Sequence, residues 1–327
     1  MLSYLLIFAV VAYLILVLWL WRGWMLLSRF EIAGASVPVS VVIYMRNEAA
    51  SIANMISDIA NQHYSQELIQ VVIVDDHSTD NSADIVDDFI NQHPNILMLH
   101  LSDGKCGKRA ALRHALPYLT GALVVISDAD CRATPRWLAT IAAFYTTYNP
   151  TLIICPVMLT HNRSFFSRWQ TMKQMRLTGL SAGAAAWRKP VMYNDANLAM
   201  GRSVMERYVY SVSSIMKKNW SNRTFFLKSA GATVAISPSP NLNLFRQCKR
   251  WRSKNKICTN LAAFLVTLIV FMANLAVVVC LIAGFFQIHF LWLAAILWTA
   301  KMLVDYPLFA SLCRFWKIKP LPSPILF

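Results

Sequence analysis

Two aspartates one residue apart, Asp128 and Asp130, close an apolar run, Ala122-Leu-Val-Val-Ile-Ser-Asp-Ala-Asp130. Residues at alternate positions of an extended chain point to the same side, so the two carboxylates face one ligand together. Hard oxygen ligands in that position suit a Mg²⁺ or Mn²⁺ that carries a phosphate. An isolated Asp-x-Asp is also accounted for by a strand end with solvated aspartates, and the neighbouring motifs decide between the two. Three further groups precede it. They are Tyr44-Met-Arg46-Asn47-Glu48, Asp75-Asp76-His77-Ser78-Thr79-Asp80 and Asp103-Gly-Lys-Cys-Gly107-Lys108-Arg109-Ala-Ala-Leu112. An acid at a strand end can hold a ribose or a base edge. A basic, glycine-containing turn that opens a helix suits negative charge. Singly, each of these is as well explained by a solvated loop. In order along the chain, they describe a nucleotide site.

The elements that must position these groups alternate. Val39–Tyr44 reads as a strand, Ala49–Gln62 as a helix, Leu68–Val74 as a strand and Ser82–Gln92 as a helix. Ile96–Leu101 is a third strand, Lys108–Leu119 a third helix and Leu123–Ile126 a fourth strand. Strands alternating with helices of about 10–15 residues predict an α/β fold, a parallel sheet with crossover helices. Each motif then falls at a strand's carboxyl end, where open α/β sheets gather their ligands. Beyond residue 130 the pattern is less regular. Trp137–Tyr148 reads as a helix. Phe165–Leu180 is amphipathic, carries Arg168, Lys173 and Arg176, and either lies on a membrane surface or caps the sheet.

Composition points to a membrane. The 327 residues are 57% hydrophobic and only 14% charged, against about 25% charged in soluble domains. Leu2–Trp21 is almost wholly apolar, and twenty helical residues span roughly 30 Å, the thickness of a bilayer core. Arg22 and Arg29 follow this run instead of preceding it, unlike a cleaved signal peptide. The positive-inside rule puts the N-terminus outside and the next segment in the cytoplasm. Leu261–Phe286 is long enough to cross again. Phe290–Cys313 is a third span, interrupted by Lys301 and Asp305, which face a neighbouring helix or sit near an interface. Charge is asymmetric. Residues 1–130 hold 13 of the 16 acids and 7 of the 31 bases, whereas residues 131–327 hold 3 acids and 24 bases. A membrane surface or an anionic partner suits the basic half. Nucleic acid ranks lower, because long apolar spans interrupt that half. The seven cysteines form no Cys-x-x-Cys pair, which favours reduced thiols over a zinc site or a disulfide framework.

On Arg46-Asn47-Glu48, Val74-Asp-Asp-His-Ser-Thr-Asp80, Gly107-Lys108, Asp128-Ala-Asp130, Asn194-Asp-Ala-Asn197 and Gln247-Cys-Lys-Arg250-Trp251, the sequence resembles the membrane-anchored family 2 glycosyltransferases of GT-A fold. That family includes processive polysaccharide synthases and ceramide glucosyltransferases. The resemblance implies a helix over 1–22, a cytoplasmic GT-A domain over 38–256, two membrane helices in 259–314 and a tail over 315–327. Within the domain, 38–130 would be the nucleotide-sugar half and 131–256 the acceptor half. The resemblance further implies a nucleotide-sugar donor, a UDP-sugar first, held by Arg46, Asn47, Glu48, Asp76, Lys108 and Asp128. Asp76 would contact the uracil or ribose, and Asp128 and Asp130 would serve Mg²⁺ or Mn²⁺. Gln247, Arg250 and Trp251, the Gln-x-x-Arg-Trp signature, would line the acceptor and pyrophosphate end. For Arg250 and Trp251 a basic interfacial anchor is the competing reading. The acceptor would be lipid-linked or a saccharide, and the location an inner (plasma) membrane.

The family's base is an aspartate in a Glu-Asp or Gly-Asp-Asp motif between the Asn197 segment and the Gln247 signature. In this chain that interval holds one acid, Glu206. Two functional classes therefore stay open: an active transferase with a base from elsewhere, and a degenerate relative that binds a nucleotide sugar or a partner without turnover.

Overall fold

The computed structural model describes residues 2–31, 34–160, 165–191, 193–210, 223–236 and 261–318. Helix α1 (Leu2–Leu26) opens the chain. Then follow β1 (Val39–Met45), α2 (Ile52–Ala60), β2 (Ile69–Asp75), α3 (Ser82–Ile90), β3 (Ile96–His100), α4 (Lys108–Ala115) and β4 (Leu123–Asp128). These match the expected alternation to within a few residues. Helix α4 ends four residues before the expected Leu119, because Pro117 cannot continue it; a 3₁₀ turn over Leu116–Tyr118 takes its place. The second half comprises β5 (Cys131–Ala133), α5 (Trp137–Tyr148), β6 (Leu152–Ile154), β7 (Val157–Leu159), α6 (Phe165–Ala186), β8 (Asn197–Gly201), α7 (Arg202–Tyr210), β9 (Thr224–Phe226) and β10 (Val234–Ile236). Two long helices follow, α8 (Leu261–Gly284) and α9 (His289–Trp316).

The main sheet has the order β3-β2-β1-β4-β8-β6-β9, and β5-β10-β7 form a second, smaller sheet. The first four strands are parallel, as expected. The sheet is nevertheless mixed, because β8 runs antiparallel to both β4 and β6. From β1 the chain steps outward to β2 and β3, then returns to place β4 on the other side of β1. The carboxyl ends of β1 and β4 thus flank the switch point, where such sheets bind ligands. Tyr44 pairs with Asp128 there, and Met45 pairs with Asp75 on the opposite side.

Side chains alternate across the strands and fill two cores. Val41, Ile43, Val71, Ile73 and Val125 face α2 and α5. Val42, Val72, Val74, Val124 and Ile126 face α4 and α7 in a core continuous with α1, α6, α8 and α9. Among the described residues, three helices are long and apolar enough to cross a membrane: Ser3–Leu26, Leu261–Gly284 and His289–Trp316. Their buried stripes face each other and α6, whereas residues such as Phe8, Phe271 and Trp292 point outward.

Helix α6 runs six residues past its expected end, and its packing explains the extension. A Cβ on Gly183 would collide with the Leu20 carbonyl of α1, and one on Gly23 with the Gly183 carbonyl, so α1 and α6 touch backbone to backbone. Trp187 stacks on Trp19 and donates from Nε1 to its carbonyl oxygen at 3.0 Å. On its other side, α6 binds the smaller sheet through Thr178 Oγ1, which donates to Val157 O at 3.1 Å. The helix therefore packs between the sheets and the apolar bundle. Lys301 and Asp305 both point into that bundle. Tyr13 Oη donates to the two Asp305 oxygens at 2.6 and 2.8 Å, and Lys301 Nζ lies 3.8 Å from the Tyr13 ring centroid. Lys228, just after β9, donates from Nζ to the carbonyls of Trp24 (2.8 Å) and Leu27 (2.9 Å) at the end of α1. A cation there satisfies carbonyls that the helix itself leaves open.

Candidate active site

Four strand-end segments meet at the β1/β4 switch point. Asp76 is fully buried, and its carboxylate is surrounded by donors. Tyr44 Oη donates at 2.7 Å and the Gly107 amide at 2.9 Å, both to Oδ2, with the Arg46 guanidinium at 3.5 Å. His77 Nδ1 lies 3.1 Å from Oδ1. Burial by itself would raise the pKa of Asp76; the bonds from Tyr44, Gly107 and His77 and the charge of Arg46 outweigh it and hold the group below the usual carboxylate value. Asp76 therefore ties together the ends of β1 and β2 and the turn before α4. The expected direct contact of Asp76 with uracil or ribose meets an obstacle here. With no exposed surface, the carboxylate reaches a ligand only when Arg46 or His77 swings aside.

Asn47 and His77 both adopt left-handed backbone angles, with φ of 53° and 56°. Such angles are uncommon outside glycine and are held by surrounding contacts. At Asn47 those contacts are clear: its amide donates to Ser78 Oγ at 2.9 Å, and its side-chain oxygen accepts the Thr79 amide at 2.7 Å. Alongside, the Glu48 amide donates to Ser82 Oγ at 2.8 Å and the Ala49 amide to Asp80 Oδ2 at 3.1 Å. Glu48 Oε2 accepts Ser51 Oγ at 3.2 Å. The loops after β1 and β2 are zipped to each other, and Asn47, Glu48 and Asp80 work within that zipper. Arg46 is half exposed, and its guanidinium reaches back to Asp76 at 3.5 Å.

Lys108, the first residue of α4, is mostly buried. Its Nζ donates to Asp128 Oδ1 at 2.5 Å and to the main-chain oxygen of Asp195 at 2.6 Å. Gly107, with φ of 87°, makes the turn that aims both its own amide and Lys108 at the strand ends; a side chain there would be strained. Asp130 is the second residue after β4 and is partly exposed. Beneath the pair lies Cys131, fully buried. Burial first, then the charges of Asp128 and Asp130, push its thiol far above the ordinary value, so it stands there neutral.

Asp128 and Asp130 supply hard oxygen donors of the kind Mg²⁺ and Mn²⁺ accept, and Mg²⁺ commonly takes only one or two carboxylates beside substrate phosphate and water. Among the described residues no group of three or more His, Cys, Asp or Glu gathers as a metal cluster. The donor set therefore fits a metal that arrives with a phosphate ligand, not a resident protein-caged ion. Asp130 is the more exposed of the two, and Asp128 is buried against Lys108.

The structure gives the Asn194-to-Asn197 motif its place and adds Tyr193 and Tyr208, which no sequence motif marks. The loop Tyr193–Ala196 lies across the end of β4: Ala196 O accepts Ser127 Oγ at 3.2 Å, and Asn197 pairs with Ser127. Asp195 therefore stands beside Asp128. Asn197 itself is fully buried and structural. It accepts from Trp137 Nε1 at 3.0 Å and donates to the carbonyls of Pro156 and Ala232 at 2.8 and 2.9 Å, which joins the two sheets. Tyr193 and Tyr208 lie within the electrostatic reach of Asp195 and Arg109. Burial, then the charge of Asp195, raises the Tyr193 phenol to about 12; Tyr208 is raised too, by burial first. Glu206 is not brought to this edge. It lies on the exposed side of α7, whose Met205, Tyr208 and Val209 face inward. Gln247, Arg250 and Trp251 lie outside the described residues.

A family model described as Glycosyl transferase family 2 matches residues 40–209, the segment that carries every strand-end motif above. A beta-monoglucosyldiacylglycerol synthase from Nostoc sp. is 28% identical over 116 residues, which are 35% of this chain and 25% of that protein. Glycosyltransferase AglE from Haloferax volcanii is 30% identical over 100 residues, 31% of this chain and 33% of that protein. The matches thus span a third or less of these curated relatives. The structure of the mannosyltransferase PcManGT from Pyrobaculum calidifontis, in complex with GDP-Man and Mn²⁺, superposes over 98% of this chain and 100% of its own, with a TM-score of 0.60 and 18% identity. That likeness concerns the fold, including the apolar helices at both ends.

Proposed function

We propose, since the chain belongs to glycosyl transferase family 2, that it moves a sugar from a nucleoside-diphosphate donor to a membrane-associated acceptor with inversion at the sugar carbon. The observation that carries this reading is the joining of Lys108, Asp128 and Asp195 through one ammonium at the switch point, next to the Asp76 hub. Arg46, exposed above Asp76, is placed to meet the nucleoside. Lys108 and the amide end of α4 present positive charge to the pyrophosphate. Asp130 and Asp128 would hold Mg²⁺ or Mn²⁺, which when bound supplies charge stabilisation for the departing diphosphate. A UDP-sugar is the first choice of donor, and a lipid-linked or saccharide acceptor follows from the membrane setting. In that setting the three apolar helices cross an inner (plasma) membrane. The domain between them sits on the cytoplasmic side, where Arg22, Arg29 and Arg314 flank the crossings.

In this reaction the acceptor oxygen attacks the anomeric carbon, the bond to the diphosphate oxygen breaks, and the leaving group takes the electron pair. Preorganised positive groups aimed at the developing charge are the main contribution of such a site. The full chain in detergent, given Mn²⁺ and a panel of nucleotide sugars and acceptors, should release nucleoside diphosphate. A second reading rests on one observation: Glu206, the one acid between Asn197 and Gln247, lies on an exposed helix face. Under that reading the protein binds nucleotide sugar without turnover. Metal-dependent binding with no diphosphate release under any acceptor would select it.

A further inference from the structure

We infer that the carboxylate of Asp195 is the proton acceptor of the transfer, a role that no acidic motif fills in the sequence. The inference rests on the transferase reading above and assigns its missing group.

The argument begins with the antiparallel return of β8. Because Asn197 pairs with Ser127, the preceding residues must pass over the carboxyl end of β4, where Asp128 begins the turn. Ala196 O accepts Ser127 Oγ at 3.2 Å, and the ammonium of Lys108 touches both Asp128 Oδ1 and Asp195 O within 2.6 Å. Asp195 is thereby fixed at the ligand edge by its main chain, and its side chain is partly exposed there.

Of the other carboxylates of that edge, Asp103 is fully exposed but follows β3, on the far side of the sheet from β8, with Oδ1 3.7 Å from His77 Nε2; the rest are engaged. Asp76 is buried under four donors, Asp75 accepts the Ser78 amide, and Asp80 accepts the Ala49 amide. Asp128 holds Lys108. Asp130 is the partly exposed member of the metal pair. For Asp195, by contrast, the bond seen among the described residues uses only the main-chain oxygen. It also lies on the β8 side of the switch point, opposite the β1–β2 side where Arg46 stands above the buried Asp76. The neighbouring Tyr193 and Tyr208 phenols and Arg109 give it polar company without adding a second negative charge.

The step balances simply. The acceptor O–H proton passes to an Asp195 oxygen as the O–C bond to the sugar forms, and the diphosphate departs with the electrons of the broken C–O bond. A positioned base of this kind contributes about 10²–10⁴-fold in rate.

The test uses the full chain in detergent with Mn²⁺, a nucleotide-sugar panel and matched acceptors. Asp195→Asn should lower kcat about 100-fold or more, while the donor KM and the Mn²⁺-dependent affinity for nucleoside diphosphate stay within about twofold. Retained nucleotide binding also shows that the variant is folded. Asp195→Glu should keep measurable turnover, since it preserves the proton acceptor on a longer arm. Turnover of Asp195→Asn within a few fold of the unaltered chain would overturn the assignment and leave the transferase reading intact. So would a loss seen in Glu206→Gln and not in Asp195→Asn. An unaltered chain that binds nucleotide yet turns over nothing would overturn the transferase reading, and the proton acceptor with it.

Discussion

Removing Lys108 tests whether one ammonium organises the site. In Lys108→Met the Asp128 carboxylate, 5% exposed, loses the cation 2.5 Å away, and Asp195 O loses a donor at 2.6 Å. Stripping one partner from a buried pair costs about 3–5 kcal/mol, because the remaining charge is left uncompensated. In a domain of this size that corresponds to a fall in Tm of roughly 6–20 °C. Asp128→Leu should also destabilise, by removing the carboxylate partner of the mostly buried ammonium. The double variant, with both charges replaced by apolar groups, should lose less than the sum of the two, with a coupling of at least about 1.5 kcal/mol. The assay is thermal or urea unfolding of the purified chain in detergent with chelator present, so that neither metal nor nucleotide contributes. If the single effects add within about 0.5 kcal/mol, the two groups do not act as a pair, and the account of the site as an electrostatic unit fails.

Asp130→Ala should weaken Mn²⁺-dependent nucleotide binding while leaving metal-free unfolding nearly unchanged; equal affinity in Mn²⁺ would remove its metal role. Gly183→Leu should force α1 and α6 apart and cost about 1–3 kcal/mol, as overpacking of a filled interface does; a Tm equal to that of the parent chain would show that the crossing is not tight. Asp76 has a folded pKa below its ordinary value, so its stabilisation is complete above about pH 4 and is lost as pH falls through the folded value. Thermal unfolding between pH 3 and 6 should therefore show an acid limb that Asp76→Asn flattens. Lys228, lowered to about 8 by burial and then by Arg29, has the opposite window. The unfolded chain binds the proton more tightly, so stability should rise between about pH 8 and 10.5, and Lys228→Met should abolish that rise.

Much of the first half was legible in the sequence because its strands are buried on both faces and end in polar clusters. β1, β2 and β4 lie within two residues of their expected ends, and α5 spans Trp137–Tyr148 as the apolar pattern indicates. The second half was not legible, for reasons of length and pairing. β5, β6, β7, β9 and β10 are three residues each, too short for a period of two to register, and they are strands only because partners far along the chain complete them. The reversal of β8 follows from that pairing, and with it the place of Asp195 beside the end of β4. The strand-end position of Asp76 is legible in the sequence, but its burial is not, since it depends on Tyr44, 32 residues away, and on Gly107, 31 residues away. Lys301 and Asp305 stand out in the sequence as charges in an apolar span, and their inward orientation depends on Tyr13, which meets both.

That last contact has a consequence for how the protein is made. Tyr13 and Asp305 are 292 residues apart, nearly the full chain. At a synthesis rate of about 5–20 residues per second, the first helix waits roughly 15–60 s after leaving the ribosome before its hydroxyl meets that carboxylate. Meanwhile its close neighbour α6 is also still to come, so the small-residue seam at Gly23 is open to any other helix in the bilayer. The sheet in turn cannot seal its second core until α8 and α9 have been inserted. The nascent N-terminal helix is therefore the stage most exposed to wrong partners, and the helix that would gain most from an insertion factor holding it in reserve until translation ends.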